Sequence, residues 1–176
     1  MIQSKNDLKA FIAADKKANS FYGLFGLLNV TRRYLARLRK TEYLFNCHKS
    51  KLRLSISKYL LYKLSLRTGF SIGLNSFGKG LYLPHHGCVV VNSLAKFGDY
   101  CVVQCGVNIS EKVIGGNHCY LGAGAKLVIG AKIGNDVIVG ANAVVTKVFS
   151  EDNVVLAGVP ARVVSDKGFA SQRKAI

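Results

Sequence analysis

The sequence is poor in acidic residues: 9 Asp and Glu stand against 25 Lys and Arg, which gives a formal net charge of +16. The imbalance lies at one end, since residues 1–68 hold 15 basic and 3 acidic residues, and residues 69–176 hold 10 and 6. A basic surface favours anionic partners such as anionic lipid or phosphorylated ligands, although it also serves simply to keep a protein soluble. Nucleic acid is not expected, because the sequence contains no recognised nucleic-acid-binding module.

Long apolar runs and metal-type cysteine spacings are also missing. The longest apolar run, Phe21–Val30, is shorter than the about 20 residues that a membrane-spanning helix needs, and we interpret it as a bend or a short hydrophobic contact surface. Residues 1–14 lack the pattern of a signal peptide, and the five cysteines include no CxxC pair. These absences predict a cytoplasmic protein with reduced thiols.

A period of six residues organises the stretch 77–146. Large apolar residues follow this period with one interruption, at Gly115, and a small residue comes four positions after each of them except the last, where position 149 is Phe. The large positions are Val91, Phe97, Val103, Ile109, Leu121, Leu127, Ile133, Val139 and Val145. A helix repeats near 3.6 residues and a strand at 2, so neither explains the pattern, whereas a parallel β-helix does. The alternative, a sandwich of short strands, would show alternation with period two.

The period predicts triangular coils, each made of three six-residue units, with the large residues inside. We divide the chain into a basic α-helical region at 1–68, a β-helix domain at 69–164 and a polar tail at 165–176. Helices are predicted over 4–18, 31–45 and 50–66, although the last begins with a strand-like alternation. The basic residues of the second helix are expected to cover its outer surface: Arg32, Arg33, Arg37, Arg39 and Lys40.

The repeat slips once, and the slip carries two histidines. Leu83 and Val91 are eight residues apart instead of six, and Pro84-His85-His86-Gly87 lies between them. A local break in a regular pattern often marks a functional site, and histidine can take a proton from a hydroxyl near neutral pH. A metal site is not expected, because neighbouring side chains in a strand point to opposite faces and no carboxylate cluster accompanies the histidines.

Several segments together resemble a known family. Besides the repeat, they are Leu83-Pro84-His85-His86-Gly87, Leu121-Gly122-Ala123-Gly124-Ala125-Lys126, Val139-Gly140-Ala141-Asn142-Ala143-Val144-Val145 and Ala157-Gly158-Val159-Pro160-Ala161-Arg162. They resemble the serine acetyltransferase branch of the hexapeptide acyltransferases, and in particular the serine acetyltransferase-like proteins of bacterial capsule and exopolysaccharide clusters. The resemblance covers residues 69–164.

This resemblance implies a left-handed parallel β-helix, a homotrimer with active sites between subunits, and acetyl-CoA as the co-substrate. His85 falls on the catalytic histidine of the family, which deprotonates the acceptor hydroxyl as it attacks the thioester. The small residues beside which coenzyme A runs match Ala123, Gly124 and Ala141. Further candidates are Lys126, Lys147 and Arg162 for the phosphates of the cofactor, and His86, Asn92 and Gln104 for the acceptor.

The sequence also departs from serine acetyltransferases. The acidic residue before the catalytic histidine is Pro84 here, and the carboxylate that orients the histidine falls at Phe70, so Ser71 or a backbone carbonyl would have to replace it. Residues 109–120 leave no room for the loop that carries a second histidine and an arginine in the family. We therefore expect an acceptor other than serine.

Three hypotheses follow. The first is an O-acetyltransferase that transfers acetyl from acetyl-CoA to a hydroxyl of a sugar or polysaccharide precursor, with His85 as general base. The second is a serine O-acetyltransferase of cysteine biosynthesis, and the third is a non-catalytic trimeric scaffold whose basic arms bind a membrane or another protein. The basic helices are a candidate for contact with an anionic membrane or with lipid-linked acceptors at its inner face, although packing on the β-helix and oligomer contacts are the preferred interpretation.

Overall fold

The computed structural model describes residues 1–20, 28–48 and 50–173. The predicted bend or contact surface at Phe21–Val30 therefore falls mostly outside the described residues. The described chain consists of three helices, a parallel β-solenoid and a short helix at its end. None of the described helices is long and apolar enough to cross a bilayer.

The solenoid has three faces, and each is a sheet of strands stacked in parallel. In chain order the strands are β1 (Phe70–Ile72), β2 (Val89–Val91), β3 (Lys96–Phe97), β4 (Val102–Val103), β5 (Asn108–Ile109), β6 (Ile114–Gly115), β7 (Tyr120–Leu121), β8 (Lys126–Leu127), β9 (Lys132–Ile133), β10 (Ile138–Val139), β11 (Val144–Val145), β12 (Val155–Gly158) and β13 (Ala161–Ser165). One face contains β1-β2-β5-β8-β11, the second β3-β6-β9, and the third β4-β7-β10-β12-β13. The last pair, β12 and β13, is antiparallel.

The strand registers explain the period of six. Asn108 pairs with Val90 on one side and with Lys126 on the other, so one complete coil consists of three units of six. The large residues of the repeat face the inside of the coils, where Ile109, Leu121 and Leu127 are at most 1% exposed. The predicted parallel β-helix is confirmed.

The ring of Phe97 compensates for the interruption at Gly115. Phe97 pairs with Gly115 across β3 and β6, and a Cβ at position 115 would overlap the Phe97 ring. On the other side Phe97 stacks on Phe77, with 5.1 Å between the ring centroids. One aromatic side chain therefore fills the interior volume of two successive coils.

The last coil is shorter than the repeat predicts. A complete coil would pair Lys132 with Ser150, but Lys132 pairs with Val148, and the Phe149 N–H donates to the Lys132 carbonyl at 2.8 Å. Phe149 therefore lies beside Ile133 in a large interior position, although the period assigns it to a small one. Its ring is 6% exposed and closes the core before β12 begins.

The N-terminal region is helical, as the sequence predicts. Helix α1 is Lys5–Ala18, α2 is Val30–Asn46 and α3 is Lys51–Thr68, and a short α4, Phe169–Arg173, follows the solenoid. The ambiguous stretch at 50–66 is helical from Lys51 onwards. Each of the three long helices begins at a residue whose side-chain oxygen accepts a backbone N–H, and these N-caps are Ser4, Asn29 and Ser50.

One expectation about the helices is wrong: Arg39 does not cover the outer surface of α2. Its side chain is completely buried, with ion pairs to Asp15 at 2.8 Å and to Glu42 at 3.0 Å. Its guanidinium also donates to the carbonyls of Phe77 (3.0 Å) and Gly78 (2.6 Å) in the first coil. Burial by itself would lower the pKa of Arg39, but the two carboxylates outweigh it and hold that pKa above its ordinary value.

The same carboxylates satisfy backbone groups of the first coil. Asp15 Oδ1 accepts the N–H groups of Gly80 (2.8 Å) and Leu81 (2.9 Å), and Glu42 Oε1 accepts the N–H of Asn75 at 2.8 Å. A parallel β-helix exposes unpaired backbone groups at its end. The helices therefore pack as a cap on the first coil and pair those groups.

Candidate active site

The two histidines lie in an enlarged corner of the first coil. The period would pair Tyr82 with Tyr100, but Tyr82 pairs with Val102, whereas β2 and β5 already pair with the ordinary spacing. Two extra residues therefore sit between the third face and the first, at the position that the sequence predicts. Gly87 adopts a φ of 142°, which favours glycine, and lets the chain return to β2.

The end of α3 supports this corner. The Gly87 N–H donates to the carbonyl of Thr68 at 2.8 Å, and the Val89 N–H donates to the carbonyl of Gly69 at 3.1 Å. Gly69 ends α3 in the left-handed conformation with a φ of 75°. The sequence contains no signal for this support, because it depends on where the helix meets the coil.

His85 and His86 both point towards solvent. Within the described part of the chain, neither imidazole has a hydrogen-bond partner. Phe70 is 1% exposed and packs edge-on against Tyr34 at 5.2 Å between ring centroids, so no carboxylate occupies that position. Ser71 faces outward between Phe70 and Ile72. The protomer thus presents His85 without a group that orients it.

Small residues form a column below this corner. Three backbone hydrogen bonds connect successive coils along this column. The Gly106 N–H donates to the Cys88 carbonyl (2.6 Å), the Gly124 N–H to the Cys105 carbonyl (2.9 Å), and the Asn142 N–H to the Ala123 carbonyl (2.8 Å). Gly106 approaches Gly124 so closely that a Cβ would lie 3.2 Å from the Gly124 Cα. Ala123 and Ala141 are exposed on the column. The surface next to the backbone is therefore shallow and open along successive coils.

The structure assembles most of the predicted cofactor residues on this column. Ala123, Gly124 and Ala141 belong to it, and Lys126 Nζ donates to the Gly124 carbonyl at 3.2 Å. Arg162 lies opposite Ala157 in the hairpin of β12 and β13, which stacks on the last coil through the 2.8 Å bond from Gly140 N–H to the Leu156 carbonyl.

Two predicted residues do not join the others. Lys147 follows β11 at a different corner, where its Nζ lies 5.3 Å from the centroid of the Phe149 ring. Asn92 follows β2, also beyond the histidine corner, and its side-chain oxygen accepts the Leu94 N–H at 2.9 Å. The coil length of 18 residues already implies this placement, because Asn92 and Lys147 fall one unit after the corner that Gln104 and Ala141 occupy.

Gln104 lies at the top of the column, immediately before Cys105. Its Nε2 donates to the hydroxyl of Tyr120, one coil further on, at 3.0 Å. The acceptor candidates near the histidine corner are therefore His86 and Gln104. In the part of the chain that the structure describes, no group of three His, Cys, Asp or Glu side chains could hold a metal ion.

Comparison with known proteins identifies relatives of the chain by sequence. No protein-family model matches the chain. It is 35% identical over 126 residues to a serine acetyltransferase of Synechococcus elongatus, a match that covers 66% of this chain and 51% of that protein. A serine acetyltransferase of Buchnera aphidicola is 29% identical over 96% of this chain and 64% of its own length. The chain therefore spans about half to two thirds of the length of these relatives.

Solved structures agree in fold. A serine O-acetyltransferase of Brucella melitensis superposes with a TM-score of 0.74 and 25% identity, over 93% of this chain and 70% of that one. A coenzyme A complex of the serine acetyltransferase of Brucella abortus gives a TM-score of 0.73 at 24% identity, over 93% and 68%. The similarity includes the N-terminal helices as well as the solenoid.

These relatives correct the expectation about the acceptor. The curated relatives carry the name serine acetyltransferase, and none of them points to a sugar or a polysaccharide. The prediction of a sugar O-acetyltransferase, which rests on Phe70, Pro84, the missing loop and the resemblance to capsule and exopolysaccharide proteins, is therefore wrong. The missing contacts did not justify a change of acceptor class, because other parts of an oligomer can supply contacts to a small substrate. The chain is a hexapeptide-repeat β-helix protein whose relatives are serine acetyltransferases.

Proposed function

We propose that the chain is an acetyl-CoA-dependent acetyltransferase that acetylates the hydroxyl of serine. The observation that carries this proposal is the 35% identity over 126 residues to a serine acetyltransferase, a stretch long enough to include most of the solenoid. In this proposal the histidine corner provides the base, and the open column below it provides a path for the long thioester.

In the proposed reaction His85 acts as general base. It takes the proton of the acceptor hydroxyl while the hydroxyl oxygen forms a bond to the thioester carbonyl carbon. The carbon–sulfur bond then breaks, the acetyl group stays on the acceptor oxygen, and coenzyme A leaves as the thiol after taking up the proton. A backbone N–H near the carbonyl would stabilise the negative oxygen of the intermediate.

The column below His85 is the proposed path of coenzyme A. Ala123 and Ala141 have short exposed side chains, so the pantetheine arm can approach the backbone of successive coils. Lys126 and Arg162 are cations near the column, and we propose that they contact the phosphates. We assign the same role to Lys147, which would have to reach the phosphates from another corner.

A homotrimer is part of the proposal. His85 and His86 are exposed on the protomer, whereas a base that abstracts a proton works best where water is excluded. A neighbouring subunit at this corner would supply the missing wall and a group to orient His85. We assign Gln104 and His86 to the acceptor side of that pocket, with Asn92 as a further candidate from an adjoining corner.

A second candidate function is a non-catalytic trimeric scaffold, and one observation favours it: a buried phenylalanine, Phe70, stands where a carboxylate would orient the base. The two candidates differ in cofactor binding. A scaffold predicts no heat of binding when acetyl-CoA is titrated into the protein in a calorimeter.

The test is a thiol-release assay with acetyl-CoA, run with L-serine and with a panel of sugars. We expect saturable release of coenzyme A with L-serine. Release with a sugar but not with L-serine would overturn the acceptor, and absence of both release and acetyl-CoA binding would favour the scaffold. A cytoplasmic setting is also a proposal, as is contact of the basic helices with an anionic membrane.

A further inference from the structure

Helix α3 has one face packed against the protein and an apolar face on the opposite side that stays exposed in the described protomer. Its buried residues Ser57, Leu61 and Thr68 face the rest of the protein. On the opposite side Leu52, Tyr59 and Leu66 follow one another at intervals of seven residues, which places them in one line along the helix. We name these three residues the outer row.

The outer row is strongly exposed: Leu52 by 71%, Tyr59 by 58% and Leu66 by 67%. Ile56 and Tyr62, at 51% and 57%, widen the same surface. Single exposed apolar residues are ordinary, but several large ones along one helix indicate a surface that contacts something else.

The charge around this surface has one sign. Helix α3 contains five basic residues and no acidic one. Beside it, a groove of about 400 Å³ runs between α2 and α3. We name it the basic groove; its cations are Arg33, Arg37, Lys40, Lys63 and Arg67, and none of its described lining residues carries a carboxylate.

The outer row and the basic groove adjoin each other. Lys63 lines the groove and also places its Nζ 5.8 Å from the centroid of the Tyr59 ring. Leu60 and Leu64 form an apolar floor below the basic side chains of the groove. The surface thus offers apolar side chains for insertion and cations at the rim for phosphate oxygens.

We propose that this surface docks α3 on an anionic phospholipid membrane. Leu, Ile and Tyr side chains flanked by Lys and Arg are typical of helices that lie in the membrane interface. A second copy of the same face would place the lysines that flank each outer row, Lys58 and Lys63, against those of the other copy, which charge repulsion disfavours. Contact of the outer row with a different face of a second copy, as a trimer would allow, is tested below by the particle mass. An acidic protein would complement the cations but would leave the continuous apolar row to be matched separately.

Docking through α3 has a consequence for the histidine corner. Thr68, the last residue of α3, holds Gly87 through the 2.8 Å backbone bond, and Leu66 of the outer row lies two residues before it. Because Thr68 faces the protein and Leu66 faces the lipid, the corner with His85 would lie behind the end of α3, about one helix diameter from the lipid surface. This inference does not depend on the proposed acceptor or on acetyl transfer.

The test is co-sedimentation of the full chain with vesicles of phosphatidylcholine, with and without phosphatidylglycerol. We expect binding that requires the anionic lipid and weakens as salt is raised. The apolar variant Leu52→Ser/Tyr59→Ser/Leu66→Ser is expected to bind at least about tenfold more weakly. Its control is Ile129→Ser, because Ile129 is 58% exposed on the solenoid and lies outside the surface.

A second pair of variants tests the charge. Lys63→Gln/Arg67→Gln removes two cations from α3, and the control Lys112→Asn/Lys132→Gln removes two from the solenoid. We expect about fivefold weaker binding for each cation lost from the helix, and little change in the control. Circular dichroism and thermal unfolding check that every variant folds.

Three results would overturn the proposal. The first is equal sedimentation of the wild type with neutral and anionic vesicles, or none with either. The second is a light-scattering measurement without lipid in which only the apolar variant has a lower particle mass than the wild type. The outer row would then join copies of the chain. The third is a soluble acidic protein that forms a stoichiometric complex with the chain through the outer row and thereby abolishes its binding to vesicles.

Discussion

Arg39 on α2 donates from its Nε to Oδ2 of Asp15 on α1 at 2.8 Å, and both side chains are almost completely buried. The pair joins two helices, and each partner also bonds the backbone of the first coil. Removing one partner of such a buried pair leaves an uncompensated charge, which costs more than the pair itself contributes.

The first prediction follows from this network. Arg39→Met should lower the free energy of unfolding by about 3–5 kcal/mol, because Asp15 and Glu42 would remain buried without their cation. Urea unfolding followed by circular dichroism measures the change. The matched control is Arg33→Met on the exposed side of the same helix, which should change stability by less than about 0.5 kcal/mol. Equal losses in the two variants would contradict the role of the network.

The second prediction concerns His85. His85→Ala should lower kcat by about 10²–10⁴-fold, because the acceptor hydroxyl would lose its base, while binding of acetyl-CoA measured by calorimetry should stay the same. His48→Asn serves as the control: His48 is exposed in the helical region, and asparagine tolerates its positive φ of 46°. Full activity of the His85 variant would remove this residue from the mechanism.

The third prediction concerns the column of small residues. Ala141→Leu adds a bulky side chain where coenzyme A is proposed to run, so KM for acetyl-CoA should rise at least about tenfold with little change in stability. Ala10→Leu makes the same replacement at an exposed position of α1 and should leave KM unchanged. A KM that is unchanged in both variants would mean that the cofactor takes another path.

The fourth prediction concerns alkaline pH. Burial raises the pKa of Tyr34 to about 12, so the folded protein holds this proton more tightly than the unfolded chain does. The resulting stability is fully present below pH 10 and is lost as the pH rises from about 10 to about 12. Tyr34→Phe should therefore show a flatter decline of unfolding free energy across that range.

The same variant should be less stable than the wild type at neutral pH by about 1 kcal/mol, because the Ile72 N–H loses the Tyr34 hydroxyl that accepts it at 3.3 Å. Tyr62→Phe, in which the exposed hydroxyl is removed from α3, is the comparison for both measurements. If the two variants show the same alkaline slope, Tyr34 does not cause the dependence.

The sequence predicted the solenoid well because one physical rule repeats in every coil. Ile109, Leu121 and Leu127 were assigned to the interior from spacing alone, and each is buried. The rule failed where a coil has a different length, as at Phe149, because a periodic pattern does not indicate the coil at which it stops. The corner with His85 was located because its two extra residues interrupt the same period.

The helical cap was less predictable in detail. The bounds of α1, α2 and α3 follow from capping residues and apolar spacing, but Arg39 was assigned to the surface because a basic residue on a basic helix ordinarily faces water. Its burial depends on Asp15, 24 positions earlier, and on carbonyls of the first coil, 38 and 39 positions later. Such a network is a property of the packed helices and coil together.

The Phe97 ring that fills the space above Gly115 links two positions that face each other in successive coils. The interior space limits the combined volume of this pair, so a larger residue at one position requires a smaller residue at the other. Among related chains, a Leu at position 97 should accompany an Ala or Val at position 115. The interruption of the repeat is thus an exchange of volume between neighbouring coils, and an alignment of related chains would show it as covariation of the two positions.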